Sequence, residues 1–234
     1  MADITGMGAS NLGQFSPLLL DLQTHFLQVQ ALANTDDLSS QSVKEIRLLS
    51  RHALAIIDYA VFAIDCTQTE LPLTTVSAAA IAQNVASDLQ QLAKTYNVDL
   101  DLDITKKLEP VFANESAMKG ALYSLASSLI TGVYPLKKRV RIVIAAQETA
   151  PTTQRLGVYS PDIMISPSAI KLARTLAGGK ARAVVPSQMS HSGLGLVVSD
   201  QLTRALGSPL RRFTHRDQKG IGFYVPMSPQ LSFI

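Results

Sequence analysis

Two stretches of this sequence hold residue types that can do chemistry. The first is Ser192-Gly193-Leu194-Gly195-Leu196-Val197-Val198, which runs straight into Ser199-Asp200-Gln201-Leu202. Two glycines at the start of a helix let the backbone approach an anion. The exposed N–H groups and the helix dipole there favour a phosphate. The second stretch carries histidine on helices. Phosphotransfer needs a neutral imidazole, exposed on a helix beside a group that orients it. His25 stands next to Phe26 at the edge of an apolar seam, with Asp21 four residues earlier on the same face. His52 holds the equivalent edge position on the next helix, beside Ala53. The alternative for each histidine, and the more common case, is a solvated helix-edge residue. His191 and His215 fall in loop or strand sequence with basic neighbours, and neither has a second His or Cys at metal-ligand spacing. A metal site is therefore not expected. No Gly-x-Ser-x-Gly elbow or Cys–His pairing points to nucleophilic hydrolysis.

The elements that must position these residues differ along the chain. Gly6, Gly8, Ser10 and Gly13 predict a flexible segment over 1–13. Leu12, Phe15, Leu19, Leu22, Phe26, Val29 and Ala33 then recur at alternating steps of three and four, an a/d seam. Residues 34–42 are polar and rich in Ser and Asp, and read as a turn that caps a second helix from about Val43 to Ile64. That helix carries two apolar stripes. One is Ile46, Leu49, Ala53, Ile56 and Ala60; the other is Leu54, Ile57, Val61 and Ile64. A hairpin buries one narrow stripe per helix, so two stripes require further neighbours. A four-helix bundle made by two chains supplies them. Packing of the extra stripe on the chain's own C-terminal part is the alternative.

Beyond residue 70 the pattern mixes strands and helices. Leu71–Thr75 reads as extended, Val76–Tyr96 as a helix and Val98–Ile104, which alternates strictly, as a half-buried strand. A short strand at Val111–Ala113 precedes a helix that starts at Asn114 or Ser116 and runs to about Val133. Arg139–Ala146 and Arg155–Ser160 read as antiparallel neighbours. They are followed by a helix at Ser168–Leu176, a Gly-rich basic loop over Gly178–Ser192, a helix from Gly193 to Leu206, and strands near Leu210–Thr214 and Ile221–Val225. Strands in mixed order with helices on one face predict a two-layer α/β sandwich.

Composition narrows the function classes. Apolar residues make up 47% and charged residues 17%, which excludes a disordered or fibrous chain. The net charge of +3 hides a split: residues 1–117 hold 14 acidic and 6 basic side chains, and residues 118–234 hold 4 acidic and 15 basic. Such polarity predicts that the two halves meet different partners. One cysteine, Cys66, excludes a disulfide scaffold and reads as a small buried hydrophobe. No run approaches the roughly 18 apolar residues that cross a bilayer. The N-terminus has no basic or apolar region of a signal peptide, so a soluble cytoplasmic protein that meets no membrane is expected. Lys137-Lys138-Arg139, Arg141, Lys180, Arg182 and Arg211-Arg212 are basic clusters that either bind nucleic acid or are solvated strand ends and loops. Only 6% aromatic residues, with no Trp, weigh against a stacking platform for nucleic acid.

The string from Ser192 to Leu202, followed by Ala205-Leu206-Gly207-Ser208-Pro209-Leu210 and Gly220-Ile221-Gly222-Phe223-Tyr224-Val225-Pro226, resembles the second glycine box and last strands of sensor histidine kinases. Their ATP-binding domain has the GHKL or Bergerat fold. Arg47–Ala60 is similar to the second helix of the family's dimerisation and histidine phosphotransfer hairpin. The resemblance implies an α+β protein: a flexible 1–13, a hairpin over 14–70 forming a dimeric four-helix bundle, and a Bergerat-type sandwich over 71–234. It further implies that Gly193, Leu194, Gly195 and Leu196 lie at the phosphates. Ser128 then stands where the family's Asn holds magnesium.

Departures from the family pattern are as informative. Ser160 stands at the adenine-binding Asp, Asp162 and Met164 replace the glycines of the first box, and His191 replaces the first glycine of the second. The family's His-Glu/Asp pair aligns with Leu20-Asp21. A lost charge-assisted hydrogen bond to adenine is worth about 1.5–3 kcal/mol, or one to two decades in affinity. The resemblance therefore implies a homodimeric two-component protein, a phosphotransferase or non-catalytic regulator of a response regulator, with no cofactor. His25 with Asp21 is the candidate acceptor and His52 the weaker one. The alternatives are an active kinase using ATP and magnesium through atypical boxes, and a basic nucleic-acid-binding dimer.

Overall fold

A computed structural model describes residues 26–30, 40–66, 70–105, 107–133, 138–162, 170–171, 173–174 and 193–228. The first long element is α1 (Ser40–Asp65), whose Leu49, His52, Ala53, Ile56, Ala60 and Ala63 are buried along one helical stripe. On its other side Leu54 is 60% and Val61 51% exposed, while Ile57 and Ile64 are half-buried. The two stripes read from the sequence thus have different fates. One sinks into the chain's own C-terminal part, and the other is uncovered among the described residues. The seam from Leu12 to Ala33 lies outside the described residues except at 26–30. Those residues are helical: Val29 packs on the core, and Tyr96 Oη donates to Gln28 Oε1 at 3.1 Å.

A short strand β1 (Thr74–Val76) leads into α2 (Ala78–Thr95). Ser77 caps α2, its hydroxyl accepting from the Ala80 N–H. Ile81, Val85, Leu89 and Leu92 recur on the buried face. Asn97, with φ of 56°, then turns the chain into β2 (Val98–Ile104). After β3 (Val111–Ala113), which pairs antiparallel with β1, Asn114 caps α3 (Glu115–Gly132). Asn114 Oδ1 accepts from the Ala117 N–H at 2.9 Å, and its Nδ2 donates to the Pro72 carbonyl. Most of α3 is buried without regard to face: Ala117, Met118 and every residue from Gly120 to Thr131. A helix buried all round needs neighbours on all sides.

The remaining elements are β4 (Val140–Ala150), β5 (Thr153–Ser160), α4 (Gly193–Ala205), β6 (Arg211–His215) and β7 (Gln218–Pro226). Five strands form one sheet in the order β2-β4-β5-β7-β6, parallel between β2 and β4 and antiparallel elsewhere. Its inner face presents Ile142, Ile144, Leu156, Val158, Ile221, Phe223 and Val225 to the helices in a single core. The helices α2, α3 and α4 form the next layer, and α1 packs on all three. The part beyond residue 70 thus has the two layers expected of it, and α1 adds a further helix over their helical face.

A smaller cluster of Val143, Ala145 and Tyr159, with Phe213 against it, lies on the outer sheet face. Glycines make room for it: a Cβ on Gly220 would come within 2.4 Å of Tyr159 Cδ1, and one on Gly222 within 2.2 Å of the Leu156 carbonyl. The β6–β7 turn holds Arg216 and Asp217 at positive φ, 45° and 65°, as a tight two-residue hairpin turn requires. That turn adds twist. It carries His215 and Arg216 from one edge of the sheet to Asp103 on the opposite edge strand.

Candidate functional site

The glycine pair does open a helix, α4, as its sequence predicts. Leu194, Leu196, Val197 and Val198 are all buried, so the start of α4 is wedged into the core. Gly195 meets α3 at very short range. An ideal Cβ there would stand 1.9 Å from Ser128 Oγ and 2.3 Å from the Ser124 carbonyl oxygen. Only a residue without a side chain lets the two backbones pass at this distance.

The facing surface of α3 is made of short polar side chains: Ser124, Ser127, Ser128 and Thr131, all buried. Two of their hydroxyls turn back on their own helix. Ser127 Oγ donates to the Ser124 carbonyl at 3.2 Å, and Thr131 Oγ1 donates to the Ser127 carbonyl at 3.0 Å. Ser124 Oγ and Ser199 Oγ have no hydrogen-bond partner among the described residues. Ser128 therefore lies beside Gly195 as part of a close helix crossing.

The other end of the implied nucleotide site is Ser160, at the C-terminal end of β5. Its hydroxyl donates to the Arg141 carbonyl at 2.7 Å and accepts from the Asp162 N–H at 3.1 Å. The hydroxyl is spent on backbone groups. Asp162, at the first glycine of that box, pairs with Lys138 Nζ at 2.9 Å and accepts from the Arg141 N–H. The Lys138 hydrogen bond, helped by that N–H, holds its carboxyl below the usual carboxylate range. The phosphate end retains backbone N–H groups at the start of a helix. Among the described residues the base end offers no unpaired carboxylate at Ser160 or Asp162, the two positions where the family pattern would place an acidic group and a glycine.

Of the candidate acceptors, His25 and Asp21 lie outside the described residues, as does His191. His52 is described, and the expectation of a solvated helix-edge histidine is corrected. The ring is 5% exposed, with Nδ1 3.1 Å from Tyr123 Oη and the two ring centroids 5.9 Å apart. Tyr59 packs on the same Tyr123 ring at 5.4 Å. Burial pushes the Tyr123 and Tyr59 phenols above the ordinary tyrosine value. An imidazole enclosed in this way lacks the exposure that phosphotransfer needs. Cys66 is buried as expected, and burial pushes its thiol up.

A second polar constellation was not legible in the sequence. His215 Nε2 lies 2.8 Å from Asp103 Oδ2, and Arg216 Nε lies 3.0 Å from the same oxygen. Gln147, turned so that its amide nitrogen faces His215, donates to Nδ1 at 2.7 Å and accepts from Arg155. That network places the imidazole proton on Nε2, donated to Asp103. Asp103 is 112 and Gln147 68 residues from His215 along the chain, and no local pattern marks them. The only cue was a histidine between basic residues.

The basic cluster after residue 137 is largely paired. Arg139 reaches Asp99 at 2.5 Å and Arg141 reaches Asp101 at 2.6 Å, so two of the alternating aspartates of β2 pair with cations at the start of β4. Paired cations of this kind offer less to a nucleic acid phosphate than free ones. Among the described residues no group of three His, Cys, Asp or Glu side chains can hold a metal ion, and no helix is long and apolar enough to cross a membrane.

The chain is similar in fold to solved structures of histidine kinases. The chain superposes on full-length ShkA in complex with AMPPNP with a TM-score of 0.54 at 16% identity, covering 96% of this chain and 46% of that one. Against the nucleotide-free catalytic domain of histidine kinase ThkA the TM-score is 0.52 at 17% identity, covering 68% and 97%. Against ThkA in complex with the response regulator protein TrrA it is 0.52 at 13% identity, covering 93% and 60%. No protein-family model matches the chain, and no curated protein does. Likeness at these identities establishes the fold: mixed sheet and helices are those of histidine kinase ATPase domains.

Proposed function

We propose that this chain is a histidine-kinase-like protein of two-component signalling whose nucleotide site has been eroded, acting as a phosphotransferase or a non-catalytic dimeric regulator. The observation that carries this reading is Ser160. At the position where an adenine-binding carboxylate belongs, a hydroxyl is committed to the Arg141 carbonyl and the Asp162 N–H. The crossing of α3 and α4 at Gly195 supports it, because the small side chains there serve packing.

A response regulator is the proposed partner, in keeping with the ThkA–TrrA complex among the similar structures. A second copy of the chain is proposed to cover the exposed Leu54 and Val61 stripe of α1 together with the helical seam. His25, oriented by Asp21, is the proposed acceptor, since burial excludes His52. In that role the histidine takes the regulator's phosphoryl group as the P–O bond to the regulator breaks and an N–P bond forms, with no nucleotide consumed.

Calorimetric titration with ATP and magnesium is expected to show no binding up to millimolar concentration. Binding in the micromolar range would restore the active-kinase reading, with Ser128 and the Gly193–Gly195 backbone as nucleotide ligands. Incubation with a phosphorylated regulator is expected to label the wild type and not His25→Ala. A label that persists in His25→Ala moves the acceptor elsewhere, and none in the wild type leaves the regulator role. Leu54→Asp with Val61→Asp is expected to halve the mass measured by light scattering; a wild-type monomer would remove the dimer.

A further inference from the structure

The hairpin helix and the sandwich share one core. Leu49, Ile56, Ala60, Ala63 and Cys66 belong to the same buried cluster as the sheet's inner face and the helices α2, α3 and α4. The contact is specific as well as apolar. His52 and Tyr123 form a buried hydrogen-bonded pair across it. The Tyr59 ring fills the gap over Gly120, where a Cβ would come within 2.6 Å of Tyr59 Cδ1 and 2.9 Å of Leu202 Cδ1. Tyr59 and His52 thus key α1 into the groove between α3 and α4. Gly120 and Ser128 are two turns apart on α3, about 12 Å at 1.5 Å per residue, so α1 crosses close to the glycine cradle.

The all-round burial of α3 makes this contact obligatory. With the sheet beneath and α2 and α4 at its sides, among the described residues only α1 covers the top of α3. Removing α1 would expose Tyr123 and the Gly120 groove along with the apolar tops of the flanking helices.

We infer that α1 is a permanent member of the sandwich core, so that α1 and the ATP-domain-like half move as one rigid body and meet a partner in a single fixed geometry. A nucleotide domain that delivers a phosphoryl group to a distant helix must travel to it, because in-line transfer needs the reacting atoms about 3–3.5 Å apart. A chain in which α1 is keyed into α3 and α4 forgoes that travel. It gains instead a composite surface made of the outer α1 stripe and the sandwich. The inference concerns rigidity alone and stands whether or not any histidine is phosphorylated.

Hydrogen exchange of the full chain across a urea series tests it. The amides of 49–63 in α1 and 120–131 in α3 are expected to lose protection at the same urea concentration. Loss of α1 protection at lower urea, with α3 still protected, would overturn the inference. Gly120→Ala is expected to speed exchange in both helices together by tenfold or more. If that variant does not fold, Tyr59→Leu, which loosens the key without a clash, takes its place. Faster exchange in α1 with α3 unchanged would overturn the inference for either variant. A double-mutant cycle with His52→Ala and Tyr123→Phe is expected to show non-additivity of about tenfold in the unfolding constant. Additive effects would mean that the pair does not lock the helices.

Discussion

Tyr159 is the largest side chain with almost no solvent contact, yet its hydroxyl has no hydrogen-bond partner among the described residues. The ring lies across Gly220, with the His215 ring 5.0 Å away and Arg155 over its face. Burial raises its phenol to about 12, against the pull of the Arg155 charge. In the unfolded chain a tyrosine titrates near 10. The folded state therefore holds the proton longer, and the stability this contributes is intact below pH 10. It declines as pH rises from 10 and is lost through 12. Tyr159→Phe is expected to flatten that alkaline decline by about 1.4 kcal/mol, measured by urea unfolding at pH 8 and pH 11. At pH 8 the variant is expected within about 0.5 kcal/mol of the parent, because an unpaired buried hydroxyl contributes little.

At the scale of elements, the crossing of α3 and α4 depends on Gly195. A methyl there meets Ser128 Oγ at 1.9 Å and the Ser124 carbonyl at 2.3 Å, and only the first obstacle is a side chain. Gly195→Ala is expected to cost about 3 kcal/mol, the upper range for overpacking, read from the urea midpoint. Adding Ser128→Ala removes the hydroxyl and leaves the carbonyl, so less than half of the loss is expected to return. Full recovery would mean that the helices separate easily and that the cradle is more open than its contacts imply. The same glycine that looks like a phosphate ligand in sequence is, in the fold, a condition for packing two helices.

For the whole molecule, the telling contact is Asp103, which joins β2 at one edge of the sheet to the β6–β7 turn at the other. One carboxylate takes the His215 imidazole and the Arg216 guanidinium, closing the outer face over Tyr159 and Phe213. Asp103→Ala leaves His215 Nε2 and Arg216 without that acceptor and is expected to cost about 1–3 kcal/mol. Faster hydrogen exchange is expected in both β2 and β6–β7, although the two are not neighbours in the sheet. A change confined to β2 would show that the clasp does not couple the edges.

Element types were legible because they follow from local rules. Val98–Ile104 alternates, and it is a strand over those residues; Asn114 precedes a helix, and its side chain caps α3. The glycine pair at 193 and 195 read correctly as a helix start for the same reason. Partnership was not local. Nothing in the neighbourhood of His52 says that Tyr123, seventy-one residues later, will bury it, and nothing near His215 points to Asp103. In α3, Ser124, Ser127, Ser128 and Thr131 interrupt the apolar residues, so the sequence signals neither its burial on every side nor which helix closes the last side. By itself the sequence determined the periodicities, the caps and the order of elements, since these depend on residues a few positions apart. Only the tertiary structure decided that α1 joins the sandwich core, that a histidine is enclosed, and that the sheet's edges meet. Each of those needs side chains brought together from distant parts of the chain.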